Sequence, residues 1–197
     1  MKILLATNNE NKLKDMQKFL PSHVTLITLN EAGICLEPDE NGDIPEENAR
    51  IKAEEFWNEV KRKNLDITAV VADDVAVYVE AFPELIGVKA ARWHKGTSED
   101  RNNKLLEIMK NEKNRNIYYE TVVSYKDEHE CLFFKAYNYG EVSKEIREGT
   151  GFAYDFIFKL PDGRMLSEIS QDERDGMIGR AVAARELSDY IKTKMDL

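Results

Sequence analysis

The chain has 197 residues, of which 42% are hydrophobic and 9% aromatic. This composition excludes a disordered chain and is typical of a globular protein with a sizeable core. The formal net charge of -9 argues against binding to nucleic acid or to an anionic membrane, because both surfaces repel an acidic protein.

The first part of the chain alternates between strand and helix patterns. Hydrophobic periodicity predicts strands over 2–6 and 24–29, with a helix over 12–20 between them. A helix over 46–63 leads to a buried strand over 67–72, and strand signal resumes over 75–79 after two aspartates.

The second part has a helix pattern over 98–110, two strands over 117–126 and 130–142, a short strand over 156–160 and a final helix over 180–194. The two long strands are predicted to form a hairpin. Because a βαβ-like start is followed by a hairpin, the order predicts an α/β fold with a mixed sheet.

Cysteine usage and terminal segments bear on location. The two cysteines, Cys35 and Cys131, lack metal-ligand spacing and are interpreted as reduced thiols, with a lone disulfide as the alternative. The apolar run at the amino terminus is too short for a signal peptide, and no stretch approaches transmembrane length. A cytoplasmic protein is therefore expected.

The most informative local feature is the pair Asp73-Asp74, which follows the apolar run 70–72. A buried strand that ends in two carboxylates presents them at the sheet edge where open α/β folds bind ligands. Since adjacent strand residues point to opposite faces, one aspartate would reach a site while the other faces the scaffold. A strand that simply ends in a solvated turn is the alternative.

Two helix starts carry groups suited to phosphate and metal binding. The Asn-rich loop 7–11 precedes Lys12 and can offer backbone N–H groups to an anion, although an ordinary capped helix with a solvated lysine fits equally. Glu47 and Lys52 lie early in the next helix. Joined with the Asp pair, Glu47 would complete an oxygen-rich site of the kind that holds Mg²⁺, whereas a dipole role alone also explains it.

The carboxyl-terminal part contains a glycine-flanked loop and two arginines. In the loop 149–155, Phe152 and Tyr154 could stack on a base or belong to the core, beside the carboxylate of Asp155. Arg174 and Arg180 could bind phosphate or a base carbonyl, or they could be surface cations.

Together these segments resemble the inosine triphosphate pyrophosphatase-like (Ham1-like) family, along nearly the whole chain and in the family's order. The family's Ala-Thr-Gly-Asn-x-x-Lys corresponds to Ala-Thr-Asn-Asn-Glu-Asn-Lys at 6–12, and its Glu-Asn-Ala-x-x-Lys-Ala matches 47–53 in full. Its Ala-Asp-Asp-Ser-Gly-Leu is similar to 72–77, its Pro-Gly-Val-x-Ser-Ala-Arg to 86–92, and its Gly-Phe-Gly-Tyr-Asp-Pro to 151–156.

Three departures from the family pattern concern substrate recognition. Val75 replaces a serine that touches substrate in the family, and Arg174 replaces a lysine. The family's Ser-His-Arg, whose His and Arg read the oxygenated purine, is Ile178-Gly179-Arg180 here. The resemblance therefore supports the reaction type better than the identity of the base.

The resemblance implies an elongated mixed β-sheet flanked by helices, with two lobes and a central cleft, in a single domain over 1–197 that forms a homodimer. It also implies Mg²⁺-dependent hydrolysis of purine nucleoside triphosphates with deaminated bases, such as inosine and xanthosine, to the monophosphate and pyrophosphate. Asp74 and Glu47 would hold the metal, and Asp74 would also position or deprotonate the attacking water.

The implied catalytic residues are Asp74, Asp73 and Lys52. The implied substrate-binding residues are Thr7, Asn9, Lys12, Phe152, Tyr154, Asp155, Arg174 and Arg180. Among them, Lys12 and Arg174 would neutralise phosphate oxygens together with Lys52, and Phe152 would stack on the base with Asp155 and Arg180 at its edge. Two alternatives remain: a hydrolase of another phosphate-containing substrate, and a nucleotide-binding protein without turnover.

Overall fold

The computed structural model describes residues 1–195 of the chain. The strands are β1 Lys2–Leu5, β2 Thr25–Ile27, β3 Ala69–Val79, β4 Phe82–Gly87, β5 Asn116–Lys126, β6 Cys131–Val142 and β7 Phe158–Lys159. The helices are α1 Glu10–Gln17, α2 Pro45–Arg62, α3 Ser98–Ile108, α4 Gln171–Met177 and α5 Gly179–Met195, with a 3-10 helix at Ala153–Phe156.

The strands form one mixed sheet, which confirms the predicted fold class. Their order is β2-β1-β3-β5-β6-β7, with β4 beside β3. Strand β1 is parallel to both β2 and β3, whereas β4 runs antiparallel to β3 and β7 runs antiparallel to β6. Strands β5 and β6 are neighbours joined by the turn 127–130, as predicted for a hairpin.

Strand β3 differs from the prediction in a way that matters for the site. It continues without a break through Asp73 and Asp74, so the predicted end of the strand before the pair is wrong. Both carboxylates have cationic partners, which removes the reason to place them in a solvated turn. Strand β4 was not predicted, because Pro83 weakens its strand pattern. A proline is tolerated there because β4 pairs with β3 on one side and, within residues 1–195, has no strand on the other.

Helix α1 is also placed differently from the prediction. It begins at Glu10 and ends at Gln17, rather than covering 12–20. The earlier start follows from capping, because the side chain of Asn9 accepts hydrogen bonds from the N–H groups of Asn11 and Lys12.

The described chain divides into two compact units, of which unit 1 comprises 1–74, 121–136 and the part from 178 onward. The core of unit 1 has two layers, one on each face of the sheet. Val71 packs in a cluster with Met16 of α1 and Leu187 of α5, whereas the neighbouring Val70 packs with Phe56 of α2. Residues of β3 with odd numbers therefore face α1 and α5, and even-numbered residues face α2.

Unit 2 comprises 75–120 and 137–177. Its core is built on fully buried side chains that include Leu105, Ile117, Ile157 and Phe158. Helix α3 packs on the 3-10 helix. Within residues 1–195, no helix combines the length and the apolar character needed to cross a membrane.

Candidate active site

Asp73 binds two cations from different helices of unit 1. Its carboxylate oxygens both lie 3.1 Å from Lys12 Nζ, next to the start of α1. From the first turn of α5, Arg180 donates through Nε at 3.1 Å and through a terminal nitrogen at 3.0 Å to Oδ2. Asp73 has an odd number, so its side chain lies on the same face of β3 as Val71 and points to α1 and α5.

The buried carboxylate of Asp73 is held in its charged form. Burial by itself raises the pKa of Asp73, but Lys12, Arg180 and Lys52 together lower it well below the ordinary value of 3.8. Only 7% of the residue is exposed, so its charge is stabilised by these cations in place of bulk water.

Asp74 points to the other face of the sheet and meets α2. Lys52 Nζ donates to its Oδ1 at 2.9 Å, and Asn48 Nδ2 donates to its Oδ2 at 3.4 Å. Lys52 Nζ also lies 3.1 Å from Oε2 of Glu40, so a single ammonium group is shared by two carboxylates. Asn48 is only 1% exposed, and its Oδ1 accepts from Gly42 N at 2.9 Å, which ties the loop before α2 to the site.

Asp74 and Lys52, which form this ion pair, both have raised pKa values. Burial raises the pKa of Asp74 above 3.8, and the nearby charge of Glu40 adds to the effect, while Lys52 opposes it. Burial lowers the pKa of Lys52, but Asp74, Asp73 and Glu40 more than offset this and raise it. The result is a charged lysine next to a carboxylate that takes up a proton more readily than an exposed one.

The remaining residues predicted for this side of the site lie in the same unit. Thr7 Oγ1 accepts from Asn9 N at 3.1 Å, so both serve the turn into α1. The exposed Glu47 accepts from Asp43 N at 2.8 Å, which gives its carboxylate a local capping role. The predicted roles of these residues in binding a ligand stay predictions.

The oxygen donors around Lys52 fit a hard divalent cation. Asp74 and Glu40 contact one positive group between them, and carboxylate oxygens are what Mg²⁺ prefers. Within residues 1–195, no three carboxylate, His or Cys side chains converge as a complete metal site. A bound ion would therefore take its remaining ligands from water and phosphate, as Mg²⁺ commonly does in nucleotide sites.

Unit 2 contains the second group of predicted residues. Phe152 has 69% of its surface exposed, the largest value among the exposed large hydrophobic residues of the described chain. Tyr154 is buried instead, and its hydroxyl donates to Ala90 O at 2.6 Å while accepting from Trp93 Nε1 at 2.6 Å. The loop thus presents one aromatic ring to solvent and uses the other as an anchor.

Arg174 and Asp155 form a buried ion pair beneath this loop. The guanidinium of Arg174 donates to Asp155 Oδ2 at 3.2 Å and to the carbonyl oxygens of Thr150 and Leu166. Burial raises the pKa of Asp155, and hydrogen bonds from Phe152 N and Arg174 only partly offset this. Arg174 is 7% exposed, and both of its terminal nitrogens donate to protein acceptors, whereas its buried Nε has no hydrogen-bond partner among the described residues. These contacts fit a scaffold, and its predicted phosphate role stays a prediction.

Glu40 and Asn48 were missed as site residues by sequence reasoning. Glu40 lies in a polar, turn-rich stretch without a periodic pattern, so nothing local distinguishes it from a solvated glutamate. Asn48 lies next to Glu47 in the motif 47–53, and membership of that motif could have identified it as a site residue. Only the structure shows that its amide contacts Asp74.

Comparison with known proteins gives a consistent result. A "dITP/XTP pyrophosphatase" of Clostridium perfringens is 30% identical, with 97% of each chain covered. One of the same name from Porphyromonas gingivalis is 33% identical over 96% of this chain and 97% of that protein. The solved structure of the Staphylococcus aureus Ham1 protein matches with a TM-score of 0.89 at 25% identity, covering 98% of this chain and 100% of the other.

The family assignment follows from the extent of these matches. The model of the Ham1 family matches residues 3–190, which includes both aspartates of β3, the lysines of α1 and α2, and the loop around Phe152. The chain belongs to the Ham1 family.

Proposed function

We propose that this protein is a nucleoside triphosphate pyrophosphohydrolase that acts on purine nucleotides with deaminated bases, releasing the monophosphate and pyrophosphate. The observation that carries the proposal is the pair Asp73-Asp74, in which the buried carboxylate of Asp73 and the partly buried carboxylate of Asp74 are each ion-paired to a lysine from a different helix. Its relatives named dITP/XTP pyrophosphatase support the same reaction.

Asp74 is the residue we propose to act on water. The reaction adds the oxygen of water to phosphorus, breaks the bond to the pyrophosphate oxygen and releases one proton. Because burial and Glu40 raise the pKa of Asp74, its carboxylate is a better proton acceptor than an exposed aspartate. Asn48, which donates to Asp74, would hold the carboxylate in a fixed orientation.

Lys12 and Lys52 are proposed to neutralise phosphate oxygens. Each is ion-paired with a carboxylate and only partly accessible, with side-chain exposures of 32% and 12%. A cation in this setting can exchange its carboxylate for a phosphate without first being withdrawn from bulk water. The loop 7–11, in which the N–H groups of Asn9 and Asn11 donate to side chains of the same loop, would contact the phosphates through its remaining backbone N–H groups.

We propose Mg²⁺ as the cofactor, held by Asp74 and by a second carboxylate, either Glu40 or the predicted ligand Glu47. When bound, the ion would polarise phosphate oxygens and neutralise charge that develops on them. Glu40 is preferred to Glu47 as the second ligand, because Glu40 shares Lys52 with Asp74 whereas Glu47 accepts from Asp43 N.

We propose that Phe152, Asp155 and Arg180 recognise the base. Phe152 presents an exposed ring on which a purine can stack, and stacking is tolerant of base identity. Arg180 and Asp155 are proposed to contact the edge of the base. We further propose that residues 1–197 act as one domain and that the protein is a cytoplasmic homodimer, which sedimentation over a range of concentrations would test.

The experiment is a panel of sugar phosphates and of inosine, xanthosine, guanosine and adenosine triphosphates with their deoxy forms, assayed with Mg²⁺ and with excess chelator. Pyrophosphate and orthophosphate are assayed separately. Release of pyrophosphate from inosine or xanthosine nucleotides supports the proposal. Orthophosphate as the sole product, or turnover of sugar phosphates alone, would identify a hydrolase of another substrate.

The alternative without turnover is favoured by one observation. Val75 and Gly179 occupy positions that differ from the family pattern, so substrate recognition is the part of the apparatus most changed. Tight nucleotide binding without release of either phosphate product, in the presence of metal, would identify a binding protein.

A further inference from the structure

Ala153 has a backbone conformation that is unusual for its side chain. Its φ is +48°, in the left-handed region, and among the described residues only one other non-glycine residue, Asn64, has a positive φ. A residue with a Cβ pays an energetic cost in this region that glycine does not pay. The strain must therefore be offset by contacts around Ala153.

Asn102 of helix α3 supplies such a contact. Its Nδ2 donates to Ala153 O at 2.8 Å, and the residue is 2% exposed. The other amide atom, Oδ1, is buried without a hydrogen-bond partner. An asparagine that leaves one buried polar atom unsatisfied is costly to keep for packing alone, so the bond to Ala153 is its evident purpose.

The turn at Ala153 separates an exposed ring from buried groups. Phe152 is extended and 69% exposed, whereas the next residues, Tyr154 and Asp155, are 3% and 8% exposed. Phe152 N donates to Asp155 Oδ2 at 2.9 Å, so the outward ring and the inward carboxylate belong to one tight turn. If Ala153 relaxed to negative φ, the direction of Phe152 relative to these anchors would change.

We propose that Asn102 is a positioning residue for Phe152: its hydrogen bond to Ala153 O holds the strained turn that presents the ring to the base. The inference rests on the proposed function for the role of the ring, but not for the strain or the hydrogen bond. Asn102 acts through Ala153 and does not itself touch the nucleotide.

The kinetic test compares Asn102→Leu, which keeps the size but removes the donor, with the wild type. KM for inosine triphosphate is expected to rise about three- to tenfold, the range for one lost hydrogen bond, while kcat changes less than about twofold. Inhibition by inorganic tripolyphosphate, which lacks a base, stays unchanged. Asn103→Leu is the matched control, because Asn103 is the exposed neighbour on the same helix.

Rescue separates positioning from a general loss of structure. Glycine adopts positive φ without strain, so Ala153→Gly in the Asn102→Leu background should restore KM to within about twofold of wild type. Ala153→Val, which leaves Asn102 intact but makes the turn costlier, should reproduce the rise in KM. If Asn102→Leu does not fold, Ala153→Val alone decides; a normal KM in that variant overturns the inference.

A second readout needs no substrate and so distinguishes failure of this inference from failure of the proposed function. The rate of chymotryptic cleavage after Phe152, followed by mass spectrometry under native conditions, reports how firmly the turn is held. The rate should rise in Asn102→Leu and fall again with Ala153→Gly. Equal cleavage rates in wild type and Asn102→Leu overturn the inference, even if the enzyme proves inactive or acts on another substrate.

Discussion

Asp73 and Asp74 are adjacent in the chain but perform different tasks because a strand turns successive side chains to opposite faces. Asp73 meets Lys12 and Arg180, and these cations keep it ionised. Asp74 meets Lys52 and Asn48, and burial raises its pKa. One carboxylate is therefore suited to fixing cations and the other to accepting a proton.

Asp74→Asn is expected to abolish turnover while the protein stays folded. The amide keeps the shape of the side chain and its contact with Lys52, but it can neither accept a proton nor bind a cation strongly. The loss in kcat should be on the order of 100-fold or more, as for removal of a general base. Pyrophosphate release and the thermal midpoint measure the two effects.

Asp43→Asn is the control for this change, since Asp43 is exposed and lies in the loop before α2. It should retain wild-type activity. Wild-type turnover by Asp74→Asn would show that another group activates the water.

Lys12→Ala is expected to weaken nucleotide binding by about 1.5–3 kcal/mol, the range for a hydrogen bond to a charged group. Lys14→Ala is the matched control, because Lys14 lies on the same helix with its side chain 68% exposed. Calorimetric titration with a non-hydrolysable nucleotide and with tripolyphosphate gives the two affinities. If Lys12→Ala and Lys14→Ala lose the same amount of binding free energy, or if neither loses any, Lys12 serves only to hold Asp73.

Gly179→His is expected to sharpen selectivity for deaminated purines. A site that hydrogen-bonds a base oxygen discriminates strongly, because buried polar groups are left unpaired by the wrong base. Gly179 is not among the described residues with positive φ, so histidine can adopt its backbone conformation. Values of kcat/KM for inosine, xanthosine, guanosine and adenosine triphosphates test this; selectivity that is sharp in the wild type and unaltered in the variant contradicts it.

At the scale of elements, helix α5 links the site to the turn between β5 and β6. Its first turn supplies Arg180, and near its other end Lys194 Nζ donates to Asp127 and, at 2.7 Å, to Oε1 of Glu130. Burial raises the pKa of Asp127, but hydrogen bonds from Lys194 and from backbone N–H groups of the turn outweigh burial, so the pKa is lower than its ordinary value. The far end of the helix is thus fixed by charge as well as by its apolar face.

Lys194→Met should lower the free energy of unfolding by about 1–2 kcal/mol at neutral pH. This is the contribution of a hydrogen bond to a charged group, reduced because the Lys194 side chain is 33% exposed and solvent screens its charge. A carboxylate whose pKa is lowered by folding stabilises the protein above its unfolded pKa, and that contribution is lost as the pH falls. The difference between the two proteins should therefore shrink below pH 3.8. Urea unfolding across this range measures it.

Lys192→Met is the control, since Lys192 pairs with the exposed Asp189 and its side chain is 57% exposed. It should leave the free energy of unfolding nearly unchanged. A loss that persists undiminished in acid would point to lost packing of the Lys194 stem rather than lost charge.

At the scale of the whole molecule, the net charge is -9, yet three cationic side chains lie together beside β3. Lys12, Lys52 and Arg180 are clustered at the aspartate pair in unit 1. Short polyphosphates can use such a local cluster, whereas a long polyanion also meets the surrounding negative charge.

The protein is therefore expected to bind tripolyphosphate but not duplex DNA at physiological salt. Fluorescence anisotropy of a short labelled duplex, measured beside calorimetric titration with tripolyphosphate, makes the comparison. Saturable binding of the duplex that weakens steeply with salt would contradict the inference from net charge.

Sequence alone determined the fold class and the family, and the candidate site residues it named stay predictions. Periodicity located β1, α2, α3 and the β5–β6 hairpin because each has an apolar face of its own. The motif around Asp73 and Asp74 and the motif 47–53 led to the family, which the match over 3–190 confirms. Boundaries were less reliable where capping decided them, as at the start of α1.

Tertiary structure alone decided which charges meet. Glu40 joins Lys52 and Asp74 from a loop without any pattern, and β3 continues through its aspartates because cations from two faces stabilise them. The left-handed turn at Ala153 depends on an amide from α3, 51 residues away in sequence. Sequence patterns report which face of an element is buried, but contacts between distant side chains depend on how the elements pack.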